Sequence, residues 1–154
     1  MSQINPDHII KEKVLIPCDH TKSQQVGIDL TISEPIILDN LASRNVLLNE
    51  IVKLSKDTYA MLYGRSSFNR KGVLIRGSVY DPGYEGKVGC TIYNLSGEVL
   101  VIHKNERICQ ILFFKANPAS EYQGQYQKEH LSQKGETEVE VLERRNRKIF
   151  PDNY

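Results

Sequence analysis

The feature that most restricts what this chain can become is a series of short β-branched and aromatic runs, each stopped by turn residues. Val46-Leu47-Leu48 through Ile51-Val52-Lys53-Leu54 is apolar, and Thr58-Tyr59-Ala60-Met61-Leu62-Tyr63 mixes β-branched and aromatic side chains. Lys87-Val88-Gly89-Cys90-Thr91-Ile92-Tyr93 alternates, Asn94-Leu95-Ser96-Gly97 turns, and Glu98-Val99-Leu100-Val101-Ile102 follows. Arg107-Ile108-Cys109-Gln110-Ile111-Leu112-Phe113-Phe114 is a further apolar run of strand length. Runs of about four to eight residues at this spacing predict an all-β sandwich or barrel.

Helix is scarce. Pro6 to Lys13 is expected to form a short one, with Asn5 as N-cap, Pro6 at the first helical position and Asp7 in the first turn. Ser66 to Lys71 is expected to add a turn or two before Gly72 ends it. From Asn117 onward the chain is polar, and Thr137-Glu138-Val139-Glu140-Val141-Leu142 alternates weakly like a strand before the basic stretch Glu143-Arg144-Arg145-Asn146-Arg147-Lys148. We therefore expect one β-barrel domain over residues 1–115 and a C-terminal arm or lid over 116–154 with too few apolar residues for a core of its own.

Charge narrows the function classes. With 20 Lys+Arg against 19 Asp+Glu, the chain lacks the basic excess of a protein that holds nucleic acid by neutralising phosphates. An apolar run of about 18 residues is missing, as is a basic-then-apolar leader, so neither a membrane span nor secretion is expected. Cys18, Cys90 and Cys109 lie far apart without CxxC spacing, which fits a reducing cytoplasm better than a zinc site.

Four stretches carry chemistry. In Val26-Gly27-Ile28-Asp29-Leu30 a carboxylate sits inside an apolar strand; it is either satisfied by backbone N–H groups or placed near a magnesium–phosphate cluster through water. Gly64-Arg65-Ser66-Ser67 sets a planar cation and two hydroxyls at a strand-to-helix junction, suited to phosphate oxygens, although a plain helix cap would look the same. Asp81-Pro82-Gly83 is turn chemistry, and with Tyr84 it adds a possible base and a flat ring to a hairpin tip. In Glu106-Arg107-Ile108-Cys109-Gln110-Ile111, Arg107 alternates with apolar residues and should meet a carboxylate, with Gln110 projecting to the other face.

Taken in order, G-x-D-L, R-S-S, D-x-x-Y-x-G and E-R-x-x-Q resemble the first four motifs of trimeric deoxyuridine triphosphatases (dUTPases) and of their relatives, the dCTP deaminases. The resemblance runs from about Pro6 to Phe114 and implies a distorted jelly-roll β-barrel subunit with few short helices, assembling as a homotrimer with shared sites. The chain ends resemble deaminases: Asn5-Pro6-Asp7-His8-Ile9-Ile10 with Val14-Leu15-Ile16-Pro17 at one end, Tyr122-Gln123-Gly124-Gln125 at the other. Deaminases, however, carry a Glu three residues before the Asn that ends the strand after the hairpin. Here Thr91 stands there, and no carboxylate lies between Gly86 and Asn94.

The resemblance thus implies dUTP hydrolysis to dUMP and pyrophosphate on a deaminase-like frame. By that likeness Asp81 would activate water for attack on the α-phosphorus and Tyr84 would pack under the deoxyribose. Arg65, Ser66, Ser67 and Gln110 would bind phosphate oxygens, and Mg²⁺ would ride on the triphosphate with Asp29 reached through water. The glycine-rich closing motif of dUTPases is missing, leaving Tyr122, Tyr126 or His130 as candidates to stack on the base and Lys128 to reach the γ-phosphate. The segment from Val73 to Tyr80 is also about two residues shorter than is common in the family, so base selectivity has no ready template. A dCTP deaminase and a nucleotide-binding relative without catalysis are the competing expectations.

Overall fold

The computed structural model describes residues 2–117, 122–124, 126–128, 131 and 137–149. Helix α1 (Pro6–Lys11) is followed by β1 (Leu15–Ile16), β2 (Lys22–Ser23), β3 (Ile28–Thr31), β4 (Ile36–Leu38), β5 (Ser43–Lys53) and β6 (Thr58–Gly64). Then come α2 (Ser66–Asn69), β7 (Val73–Tyr80), β8 (Glu85–Asn94), β9 (Leu100–Ile102), β10 (Arg107–Lys115) and α3 (Glu138–Ile149). The fold is mostly β with few helices, as the pattern of runs predicts.

An eight-stranded curled sheet in the order β1-β5-β8-β7-β6-β10-β3-β2 makes the body, and β4 pairs with β9 in a second, two-stranded sheet. The period-2 alternation decides which face is inside. Val88 and Ile92 of β8, Ala60 and Leu62 of β6, and Ile28 and Leu30 of β3 join one buried core, to which the smaller sheet adds Ile36, Leu38 and Ile102. Glu50 on β5 is a carboxylate in the interior: it is fully buried and accepts hydrogen bonds from the hydroxyls of Thr21 (2.7 Å) and Thr31 (2.9 Å) and from the Thr31 N–H (3.2 Å). It ties the loop after β1 to β3 and β5.

The short helices form where their caps demand. Asn5 Oδ1 accepts from the Asp7 N–H at 2.8 Å, and Pro6 opens α1. Helix α3 overturns the expected strand at Thr137–Leu142. The Thr137 N–H donates to Glu140 Oε2 at 2.7 Å while Thr137 Oγ1 accepts from the Glu140 N–H at 3.3 Å, a reciprocal capping box that fixes a helical first turn. The weak alternation of Val139 and Val141 carries no sheet, since Val139 is exposed while Val141 is buried.

The β7–β8 hairpin is closed at its base and open at its tip. Its strands pair from Val73 opposite Asn94 to Arg76 opposite Thr91. Beyond that point β7 stays with β6, Tyr80 facing Ala60, while β8 stays with β5, Glu85 facing Lys53. Tyr80 fills the gap. Its phenol oxygen donates to the Gly89 carbonyl and accepts from the Gly89 N–H, both at 3.1 Å, standing in for the missing ladder bonds.

Candidate active site

Two clusters on the sheet hold the residues that the sequence points to. The first gathers around Asp29, which is 1% exposed on β3 and faces Gln110 on β10. A buried carboxylate is stable only when paired and hydrogen-bonded, and four donors converge on it. Gln24 Nε2 (2.8 Å), Arg107 Nη1 (3.4 Å) and Arg65 Nε (3.5 Å) reach Oδ2, and Gln110 Nε2 reaches Oδ1 at 3.4 Å. Arg65 follows β6 directly and is held by its own backbone N–H to the Ile108 carbonyl at 2.9 Å and by Nη1 to the Arg107 carbonyl at 3.2 Å.

Arg107 therefore meets the carboxylate expected for it. Gln110, expected on the opposite face, reaches that same carboxylate, because a register shift between Arg107 and Cys109 brings both side chains to one side. Gly27 makes room for this: a Cβ there would stand 2.7 Å from Gln110 Cγ and 2.8 Å from the Ile111 carbonyl oxygen. Asp29, expected to reach magnesium through water, is met by these four protein donors, three on Oδ2 and one on Oδ1, and is closed to solvent. In this arrangement it holds Arg65 and Gln110 in place. Arg65 and Arg107 keep about a third of their side-chain surface exposed and, with Lys71 and Ser67, line a cleft of about 900 Å³. Ser66 and Ser67 begin α2 with exposed side chains that have no hydrogen-bond partner among the described residues.

The second cluster lies in the cleft left by the open hairpin, about 480 Å³. Asp81 is exposed at its rim, in a turn closed by the Tyr84 N–H on the Asp81 carbonyl at 3.1 Å; Gly83 takes φ +85°, a value open to glycine at little cost. Among the described residues lining the cleft, Asp81 is the one carboxylate. Tyr84 is buried beneath it, 5.3 Å centroid to centroid from Tyr80 and 5.7 Å edge-on from Tyr122. At the other end Thr91 Oγ1 donates to Asn45 Oδ1 at 2.7 Å, beside Arg76.

Tyr122 comes from the stretch after β10, which is tied to the turn by a residue that no motif singled out. Gln127 Oε1 accepts from the Glu85 N–H at 2.7 Å, and its Nε2 donates to the carbonyls of Gly83 (2.8 Å) and Tyr122 (3.1 Å). The Tyr122 N–H adds a bond to the Pro82 carbonyl at 2.7 Å, and Tyr126 also lines the cleft. Lys128 is exposed and bonds through its backbone N–H to Glu85, so within one chain it stays with the hairpin and away from Arg65. His130 lies outside the described residues. No short motif marks Gln127, because a glutamine with three backbone partners looks in sequence like any polar loop residue.

The two clusters do not meet in one chain. Tyr80 faces Ala60 near the start of β6, whereas Arg65 follows its end, so Asp81 and Arg65 stand roughly 17–20 Å apart along the strand direction. Each has its own cleft.

The curled sheet is one shared with solved structures of two kinds. The equine infectious anaemia virus enzyme described as "EIAV dUTPase native" superposes with a TM-score of 0.59 at 18% identity, covering 74% of this chain and 98% of that one. The 2′-deoxycytidine 5′-triphosphate deaminase of Agrobacterium tumefaciens gives 0.63 at 16% identity, over 72% of this chain and 48% of that one. In fold the protein is thus of the dUTPase/dCTP deaminase class. The dUTPase family model matches residues 13–137, and the chain belongs to that family. Among its relatives, a dCTP deaminase of Thermococcus sibiricus is 31% identical over 80% of this chain and 91% of its own length. A Methanococcoides burtonii protein named "Probable deoxyuridine 5′-triphosphate nucleotidohydrolase" is 38% identical over 56% of this chain and 52% of its own length.

Proposed function

We propose that the protein is a pyrophosphohydrolase that cleaves dUTP to dUMP and pyrophosphate by in-line attack of water on the α-phosphorus. The observation that carries this reading is the make-up of the hairpin cleft. Asp81 is its one carboxylate among the described lining residues, and Thr91, which also lines it, stands where the resemblance places the glutamate of deaminases. A threonine hydroxyl, here already donated to Asn45, cannot shuttle protons onto a cytosine ring at neutral pH. The relative at 38% identity supports the same choice by its name.

In this reading Asp81 orients and deprotonates the water, and Tyr84, once Tyr122 gives way or tilts, packs under the deoxyribose. The substrate is the magnesium complex of dUTP, the ion held by the phosphates. Arg65, Ser66, Ser67 and Gln110 bind phosphate oxygens and offset the charge that builds in the transition state. Because Asp81 and Arg65 are far apart in one chain, these groups come from neighbouring copies in a homotrimer. Tyr122 covers the base, and Lys128 reaches the γ-phosphate of the same nucleotide.

Asp81→Asn is the direct test. Pyrophosphate release from dUTP is expected to fall by about 10²–10⁴-fold, the usual size of a general-base contribution, with nucleotide binding retained. Unchanged turnover would remove Asp81 from the role, and equal release from every deoxynucleoside triphosphate would remove uracil from the reading. A second reading, dCTP deamination, is favoured by the deaminases of Thermococcus sibiricus and Thermococcus gammatolerans, which align at 31% and 30% identity over most of both chains. Ammonia released from dCTP would establish it in place of the first.

A further inference from the structure

The floor of the hairpin cleft has a donor and acceptor order of its own. Asn45 on β5 faces Thr91 on β8, and Thr91 faces Arg76 on β7. Residues directly opposite on neighbouring strands present their side chains to one face, so the three form a row across the cleft that all of them line. Thr91 spends its single proton on Asn45 Oδ1. What remains for a ligand is the Asn45 amide with two N–H donors, the Thr91 oxygen with lone pairs, and the Arg76 guanidinium with its fork of N–H donors. Arg76 is exposed and has no hydrogen bond or ion pair among the described residues. In order across the sheet, the row presents donor, acceptor, donor.

We propose that Asn45, Thr91 and Arg76 read the edge of the pyrimidine and select uracil over cytosine. The inference rests on taking this cleft as the nucleotide site. With Asp81 at the phosphate and Tyr84 under the sugar, the base extends along the cleft towards Thr91. Uracil offers a carbonyl oxygen, an N3–H and a second carbonyl oxygen, the complement of the row. Cytosine replaces the N3–H by a bare nitrogen and the 4-carbonyl by an amino donor. Its amino group would face donors, leaving polar groups unpaired inside the cleft, and such mismatches are what a hydrogen-bonding site rejects most strongly. Arg76 adds a charge-assisted bond to a carbonyl that cytosine lacks at that position.

The experiment compares the wild type with Asn45→Asp and Arg76→Ala. Asn45→Asp keeps an acceptor for the Thr91 hydroxyl while exchanging the amide donors for an acceptor. Arg76 is exposed, and its replacement removes a side chain without an internal partner. Thermal melts verify that both variants fold. For each, kcat/KM is measured for dUTP and dCTP hydrolysis, and dUMP and dCMP binding is measured by calorimetry. The expected result is a wild-type preference for the uracil nucleotide in both assays. Arg76→Ala should lower that preference about tenfold or more, the size of one lost charge-assisted hydrogen bond. Asn45→Asp should move the ratio in the same direction, towards cytosine. Ratios within twofold of wild type in both folded variants would overturn the proposal while leaving dUTP hydrolysis standing. Should the wild type hydrolyse no dUTP, the functional reading falls, yet the mononucleotide assay still decides the base-reading row: dUMP favoured over dCMP and equalised in the variants upholds it, and no such preference overturns it.

Discussion

The surroundings of Cys109 alter its acidity. Its Sγ lies 3.6 Å from that of Cys90, and both thiols are buried. The hydrogen bond with Cys90 first, then burial, hold the Cys109 thiol well above the usual thiol range, with the charges of Glu50 and Asp29 adding to the shift. Folding therefore keeps a proton on this sulfur that the unfolded chain gives up near pH 8.5. Below that value the native and unfolded states bind it equally and stability is flat. Above it the unfolded state releases the proton and the native state does not, so stability falls as pH rises, by at most about 1.4 kcal/mol per unit. Urea unfolding between pH 7 and 10 should show this decline, and Cys109→Ala should flatten it, whatever the variant's stability at pH 7. An equal slope in both proteins would assign the pH dependence elsewhere.

Among the elements, what the sequence disclosed and what it hid divide on the range of the interactions. Helices α1 and α2 were readable because their signals are local: Asn5 and Pro6 at one, Gly72 after the other. Helix α3 has a local signal too, the Thr137–Glu140 capping box, which an expectation built on the alternation of Val139 and Val141 leaves out. Asp29, Arg65, Arg107 and Gln110 could be picked out one by one as groups needing partners; that they share one carboxylate depends on a bulge in β10, which no spacing rule gives. Gln127 was invisible for a like reason, since all three of its partners lie on backbone. Its removal is informative because the arm has few other ties to the hairpin. Gln127→Ala leaves the Glu85 N–H without its side-chain acceptor, and a lost bond of about 1 kcal/mol should speed hydrogen exchange at that amide roughly fivefold. Exchange mass spectrometry over 81–85 measures this, and unchanged protection would mean that the Tyr122 packing and the backbone bonds of Tyr122 and Lys128 hold the segment without Gln127.

At the scale of the molecule, the separation of Asp81 from Arg65 makes the proposed trimer testable by complementation. Asp81→Asn and Arg65→Ala homotrimers should both be inactive towards dUTP. Co-expression should restore roughly a quarter of wild-type activity, because random mixing places an intact Asp81 from one copy beside an intact Arg65 from another at about that fraction of sites. No recovery in mixed trimers verified by mass spectrometry would mean that each chain builds its own site. The open hairpin has a consequence of another kind. The Tyr80 phenol oxygen bridges it by bonding both backbone groups of Gly89. If the cleft takes the base as proposed, a substitution at Tyr80 would reshape it while every loop length stays the same.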